Sequence, residues 1–252
     1  MNPADCTLVV GLDQEHLEEL RWTWPTWMRF KPELREMPAI IFYDPSQVSP
    51  ADAPFTREHP NLRWVPWDFP AAANQREKMI TGLVQVPARE VQTPWYLKLD
   101  TDAVATRPGS WINEAWFAPG ALGRVPVIVS SRWNYSKPGD VIARLDDWGD
   151  TVPKLRRFPR LNLPPSEERN RVYHRRIISW IFFARTDWTR TVAAWIKPEE
   201  RLPCPSQDTF LFYCAKRGRR RIVRERMGRY GWKHTGLRKI RTLVTELGME
   251  PA

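Results

Sequence analysis

Trp95-Tyr96-Leu97-Lys98-Leu99-Asp100-Thr101-Asp102-Ala103-Val104 is a short apolar run that ends in two carboxylates one residue apart. Pro94 stands in front of it and the Thr106-Arg107-Pro108-Gly109 turn behind, so it is bounded like a strand in the middle of a sheet. Such a strand delivers its C-terminal end to the rim of the sheet, where open α/β folds place their ligands. Two hard oxygen donors at that rim suit a divalent cation, and a cation there suits a diphosphate. The same pair also fits a solvated strand-end turn, so the flanking chain has to decide.

Upstream, Leu8-Val9-Val10-Gly11-Leu12-Asp13 reads as a buried strand. A helix follows with Leu17, Leu20 and Trp24 on one face, and Pro25 is expected to stop it. Ala39-Ile40-Ile41-Phe42-Tyr43-Asp44 and Leu62-Arg63-Trp64-Val65-Pro66-Trp67 are two further strands. Residues 74–90 carry Met79, Ile80, Leu83, Val84 and Val86 at helical spacing, with an end or kink expected at Pro87. Strands apolar on both faces and separated by crossovers imply a mainly parallel sheet covered on both sides.

Downstream, residues 125–131 read as a strand, residues 140–148 as a short helix and residues 176–185 as another strand. A helix from Asp187 to about Ile196 is capped by Thr186 or Asp187. The segment Ser206 to Gly218 has a Ser cap, an acid in its first turn, an apolar interior, a basic last turn and a Gly stop, which specifies a helix. Arg220-Arg221-Ile222-Val223-Arg224 is a last strand. Residues 150–171, rich in Arg and Pro, read either as a lid or acceptor-binding flap or as a plain surface loop.

With 252 residues and 42% hydrophobic content, the chain has enough apolar material for one sizeable α/β core. Its 14 Trp exceed what a core of this size needs, so some are candidates for platforms, although most serve packing. The 39 Lys+Arg against 29 Asp+Glu give a formal charge of +10, which favours anionic partners: nucleotides, an acidic acceptor, anionic lipid or nucleic acid. Cys6, Cys204 and Cys214 fit neither a disulfide framework nor a zinc spacing, so a reducing cytoplasm is expected. No apolar run is long enough to span a bilayer, which leaves at most peripheral membrane contact.

Leu99-Asp100-Thr101-Asp102 after an apolar strand resembles the D-x-D motif of GT-A fold glycosyltransferases. The resemblance covers most of residues 5–236 and implies a GT-A-like, Rossmann-type, mixed but mostly parallel sheet flanked by helices in a single domain. Residues 5–104 would be the nucleotide-sugar-binding half, 105–236 the acceptor and catalytic half, and 237–252 a C-terminal helix or tail. It implies Mn²⁺ or Mg²⁺ on Asp100, Asp102 and His234, the last in Tyr230-Gly231-Trp232-Lys233-His234-Thr235-Gly236. A UDP- or GDP-sugar donor would meet Val10, Gly11, Asp44 and Thr101, with Arg76 or Lys78 as base or phosphate contacts and Lys233 on the departing diphosphate. Asp208, in the first turn of its helix, would accept the acceptor's proton and give inversion, although the fold serves retention as well.

Each of these residues has a structural reading beside the functional one. Asp44 before Pro45 fits a turn acid, Arg76 and Lys78 a solvated helix face, and Asp208 a partner of the helix dipole. His16, His59 and His174 are expected to be surface or packing residues. The basic run from Lys216 to Arg221, continued by Arg224, Arg226, Arg229, Arg238, Lys239 and Arg241, is a solvated face or a patch for a glycan, a lipid-linked sugar, membrane head groups or nucleic acid. A basic nucleic-acid-binding protein and a DNA-modifying glycosyltransferase are therefore the alternatives. A nucleotidyltransferase fits less well, because the acidic Gly11-Leu12-Asp13-Gln14-Glu15 stands where a triphosphate grip needs a basic, Gly-rich loop.

Overall fold

The computed structural model describes residues 2–68, 79–113, 128–130, 180–196, 211, 214–215, 222–224 and 226–252. In chain order the first elements are β1 (Cys6–Leu12), α1 (Gln14–Phe30), α2 (Glu33–Glu36), β2 (Ala39–Tyr43) and β3 (Leu62–Pro66). They are followed by α3 (Val86–Glu90), β4 (Trp95–Leu99), β5 (Ala103–Ala105), β6 (Ile128–Ser130) and β7 (Ile181–Arg185). The last are α4 (Thr186–Ala193), β8 (Ile222–Arg224), β9 (Trp232–His234) and α5 (Leu237–Glu246).

Seven of the described strands form one sheet in the order β3-β2-β1-β4-β7-β6-β8. Only β7 runs against its neighbours, β4 and β6, and every other adjacent pair is parallel. This is the mixed, mostly parallel sheet flanked by helices that the sequence implies. Strand alternation fills two cores. Leu8, Val10, Leu97, Leu99 and Phe183 pack on the α1 side with Leu20, Trp24 and Trp27, while Val9, Tyr96 and Phe182 pack on the other with Leu83, Val84 and Trp188. Leu211, Cys214 and Ala215 are helical and buried on that second side, and the rest of the expected 206–218 helix lies outside the described residues. So do the expected 140–148 helix and the 150–171 segment. No described helix is long and apolar enough to cross a membrane.

Two prolines sit inside helices instead of stopping them. Pro25 does not stop α1, which continues to Phe30. A proline has no N–H for the carbonyl four residues back, here that of Arg21. That carbonyl instead accepts from the N–H of Ala252 at 3.0 Å. Of the end or kink expected at Pro87, the helix does not end, and it is irregular just before the proline. The chain takes a wide π turn over Thr81–Gln85, closed by the Val86 N–H on Thr81, and runs on to Glu90. The Leu83 carbonyl, which Pro87 cannot satisfy, accepts from the buried Tyr96 hydroxyl at 2.5 Å.

Two smaller expectations also change. The apolar run from Trp95 breaks at Leu99, and its tail, β5, pairs antiparallel with β9 in a separate two-stranded sheet. Neither Thr186 nor Asp187 caps α4, because Arg185 holds the cap position. The Thr186 hydroxyl is drawn to the Thr93 carbonyl at 2.8 Å, and the Asp187 carboxylate pairs with the Arg185 guanidinium.

Tyr96→Phe removes the donor that satisfies Leu83. Urea denaturation is expected to show a loss of about 1–3 kcal/mol with an unchanged slope. Wild-type stability in that variant would mean the carbonyl finds another partner.

Candidate metal centre

β4 ends at Leu99, and the chain turns at once through Asp100-Thr101-Asp102, with the Ala103 N–H on the Asp100 carbonyl at 3.1 Å. The Asp100 N–H is held by the Trp180 carbonyl at 2.8 Å. Antiparallel pairing of β5 with β9 sets Ala103 opposite His234, which brings an imidazole from near the C-terminus beside Asp102. The Thr235 N–H closes the junction on the Asp102 carbonyl at 3.3 Å. One potential ligand atom from each of Asp100, Asp102 and His234 lies within 4.8 Å of the others. His234 Nε2 is 2.9 Å from Asp102 Oδ2, and the indole of Trp180 stacks on the imidazole at 5.1 Å and 24°.

The turn is held from below by α1. Thr23 Oγ1 donates to the Thr101 carbonyl at 2.8 Å, and the Trp27 indole N–H donates to that of Ala103 at 2.5 Å. Thr101 Oγ1 donates to Glu19 at 2.6 Å. Lys31, fully buried, donates to the carbonyls of Arg107, Gly109 and Tyr230 at 3.2, 2.8 and 2.6 Å, tying the end of β5 to the approach to β9. Burial pulls its pKa down to about 8, with the Arg107 charge adding to the effect and Glu33 opposing it.

The three groups open onto a cleft of about 720 Å³. Its floor is Phe42, flanked by Gly11 and Gly82, and a Cβ at either glycine would come within 2.5 Å of the ring. Its outer wall is the start of α1. There Asp13 caps the helix by accepting the His16 N–H at 3.1 Å and also meets His16 Nδ1 at 2.6 Å. That hydrogen bond raises the His16 pKa. Burial raises the Glu19 pKa, against the Thr101 hydroxyl, which lowers it.

Of the residues singled out from the sequence, Gly11, Asp44, Asp100, Thr101, Asp102 and His234 line this cleft. Asp44 is also the turn acid of the structural reading, accepting from Ser46 Oγ at 2.6 Å and Gln47 Nε2 at 2.7 Å. The Val10 side chain is buried in the core beneath the cleft. Lys233 lines a separate, shallower groove of about 450 Å³ with Thr235 and Lys239, and His234 borders both. Arg76, Lys78 and Asp208 lie outside the described residues. His59 is a packing residue, buried with Nε2 2.9 Å from the Leu34 carbonyl.

His16 is not merely surface or packing; it stands in the cleft wall. Asp13, three residues before it at a strand-to-helix junction, is the signal that could have found it. Lys98, Glu19 and Trp180 also went unmarked. Lys98 is 6% exposed, lines the cleft and forms an ion pair with Asp100.

No known family's sequence model matches the chain, and no curated protein resembles it in sequence. Solved structures do resemble it in fold. The galactosyltransferase LgtC, in complex with donor and acceptor sugar analogues, superposes with a TM-score of 0.53 at 11% identity over 97% of both chains. Core-mannan synthase A from Aspergillus fumigatus, in its Mn/GDP form, gives 0.50 at 14% identity. That match takes in 85% of this chain but spans only 65% of the synthase. A 4-diphosphocytidyl-2C-methyl-D-erythritol synthase from Anaerococcus prevotii gives 0.49 at 14% identity over 96% of this chain and 98% of its own. At such identities the likeness is one of fold, and the fold is the GT-A type.

The shift at Lys31 has a direction in pH. Folded protein gives up that proton near pH 8, and the unfolded chain near the ordinary value of about 10.4. Between the two the unfolded chain binds more protons, so this group's contribution to stability rises with pH through the window, and its cost is fully present below it. Denaturant unfolding of wild type and Lys31→Met from pH 7 to 10 should show the difference moving in favour of wild type as pH rises. A difference that stays flat would contradict the assignment.

Proposed function

We propose that the protein is a metal-dependent glycosyltransferase that moves a sugar from a nucleotide-sugar donor to an acceptor hydroxyl. The observation that carries the reading is the convergence of Asp100, Asp102 and His234 at the edge of a cleft, at the C-terminal end of a central strand. The donor set suits a divalent ion. Asp102 Oδ1 is buried and has no hydrogen-bond partner, so the site offers a lone pair that a cation would satisfy. Two carboxylates and an imidazole match Mn²⁺, or Mg²⁺ with waters completing its shell.

When bound, the metal supplies charge neutralisation on the donor diphosphate, which makes that group a better leaving group. The chain's own residues do the rest. Gly11 and Gly82, without side chains beside the Phe42 floor, would let the donor approach it closely, and Asp44 in the cleft lining would accept from a ribose hydroxyl. Trp180 holds the imidazole plane and the Asp100 backbone together. The acceptor oxygen attacks the anomeric carbon as the bond to the diphosphate breaks. Asp208 takes the acceptor's proton, and attack from the face opposite the leaving group gives inversion. Exposed Arg226, Arg229, Lys233, Arg238 and Lys239 lie on and around β9 and the start of α5, next to His234. They support an anionic acceptor, or one carried on an anionic surface.

UDP or GDP with Mn²⁺ is expected to raise the melting temperature, by the equivalent of about 2.7 kcal/mol at a hundredfold excess over Kd. Asp102→Asn should remove the Mn²⁺-dependent part of that shift and lower metal-dependent hydrolysis of the matching nucleotide sugar about a hundredfold. Undiminished turnover in Asp102→Asn would remove the metal from the proposal.

A further inference from the structure

Lys98 is the one lysine in the wall of the main cleft among the described residues. Strand alternation puts it there. Leu97 and Leu99 enter the core under α1, Tyr96 enters the opposite core, and Lys98 points to the same side as Tyr96. A buried ammonium persists only where it is paired, and Lys98 is paired with Asp100 Oδ1. Asp100 therefore answers two claims: it is the counter-ion of a lysine and one of three groups that converge on a point. Asp102 differs, since it keeps a buried oxygen without a hydrogen-bond partner.

We propose that Lys98 is a built-in counter-cation that holds Asp100 until the donor arrives, is displaced from it by the divalent ion, and then pairs with the donor's diphosphate. This rests on the donor reading above. An ammonium and a divalent ion cannot share one carboxylate oxygen without strong mutual repulsion, so metal entering alone competes with a cation already in place. The lysine stem is flexible, and its head can swing while β4 stays fixed. Charge stays matched through the exchange. Asp100 passes from ammonium to metal, and the ammonium passes from carboxylate to phosphate oxygen. Metal and nucleoside diphosphate then each strengthen the binding of the other, reciprocally, beyond what their direct contact supplies.

The test is titration of nucleotide-free protein with Mn²⁺, read from the electron paramagnetic resonance of the free ion, in wild type, Lys98→Met and Lys98→Gln. Thermal melting identifies which variants are folded, and the Gln side chain can still hydrogen-bond Asp100 if Met is not tolerated. Both variants should bind Mn²⁺ about tenfold more tightly than wild type, and at saturating Mn²⁺ should bind UDP or GDP about tenfold more weakly. Unchanged or weaker Mn²⁺ binding in a folded variant overturns the role of Lys98. Wild type that takes up neither Mn²⁺ nor a nucleoside diphosphate overturns the donor reading itself. Wild type that takes up both, beside variants of unaltered Mn²⁺ affinity, overturns the Lys98 role alone.

Discussion

The site depends on a set of side-chain hydrogen bonds from helix α1 to the backbone that leaves the acid turn. Four residues of α-helix rise about 6 Å, and two residues of strand advance about 6.8 Å. Thr23 and Trp27 therefore keep step with the carbonyls of Thr101 and Ala103, while Thr26 and Lys31 carry the polar stripe further along the chain. Thr23 meets the Thr101 carbonyl, Trp27 meets that of Ala103, Thr26 Oγ1 accepts the Ala105 N–H at 3.2 Å, and Lys31 takes those of Arg107 and Gly109. Among the described residues β5 has a strand partner on one side only, β9, and the helix supplies side-chain partners for its backbone. The Asp100–Asp102 turn is thus fixed from both ends, and the imidazole opposite Ala103 is fixed with it.

The same economy runs through the two helices that contain proline. In each, the carbonyl that proline leaves without a donor is satisfied from a distant part of the chain: Arg21 by the backbone of Ala252, and Leu83 by the hydroxyl of Tyr96. The C-terminal segment is thereby tied to α1, and α5 packs beside it with Arg241 paired to Glu18. The Tyr96 contact joins the wide turn at Thr81–Gln85 to the centre of the sheet. Because Gly82 in that turn abuts Phe42, the contact also sets the cleft floor.

What could be read from the sequence was whatever is written in local order. The strands of the first half are continuous apolar runs, and the acid pair follows the central one directly. His234 was found through its resemblance to a late metal ligand, and the register of β5 with β9 then brings it to the acids. The stripe of Thr23, Thr26, Trp27 and Lys31 was not legible, because each residue alone is an unremarkable helix occupant and its partner is some 80 residues away. Lys98 was hidden by its place in an apolar run, where its partner, two positions on, was already spoken for as a ligand. Pro25 misleads for a related reason, while Pro87 marks an irregular stretch of helix and not its end. Their local rule is sound, and tertiary donors offset it.

Charge explains why the proposed chemistry calls for a cation. The protein carries a net +10, yet Asp13, Glu15, Glu19, Asp44, Asp100 and Asp102 line the cleft, with Lys98 the one lysine among the described residues there. A diphosphate entering such a wall meets like charge, which costs more as water is expelled. Lys98 is already committed to Asp100, and His16 to Asp13. A divalent ion held by Asp100, Asp102 and His234, as proposed, would reverse the local sign where the diphosphate would lie, and release of the ammonium would add to that reversal. On the proposed reading, the basic surface outside the cleft would have a separate task, drawing an anionic partner toward the His234 edge, while the acidic interior would admit the donor only together with its metal.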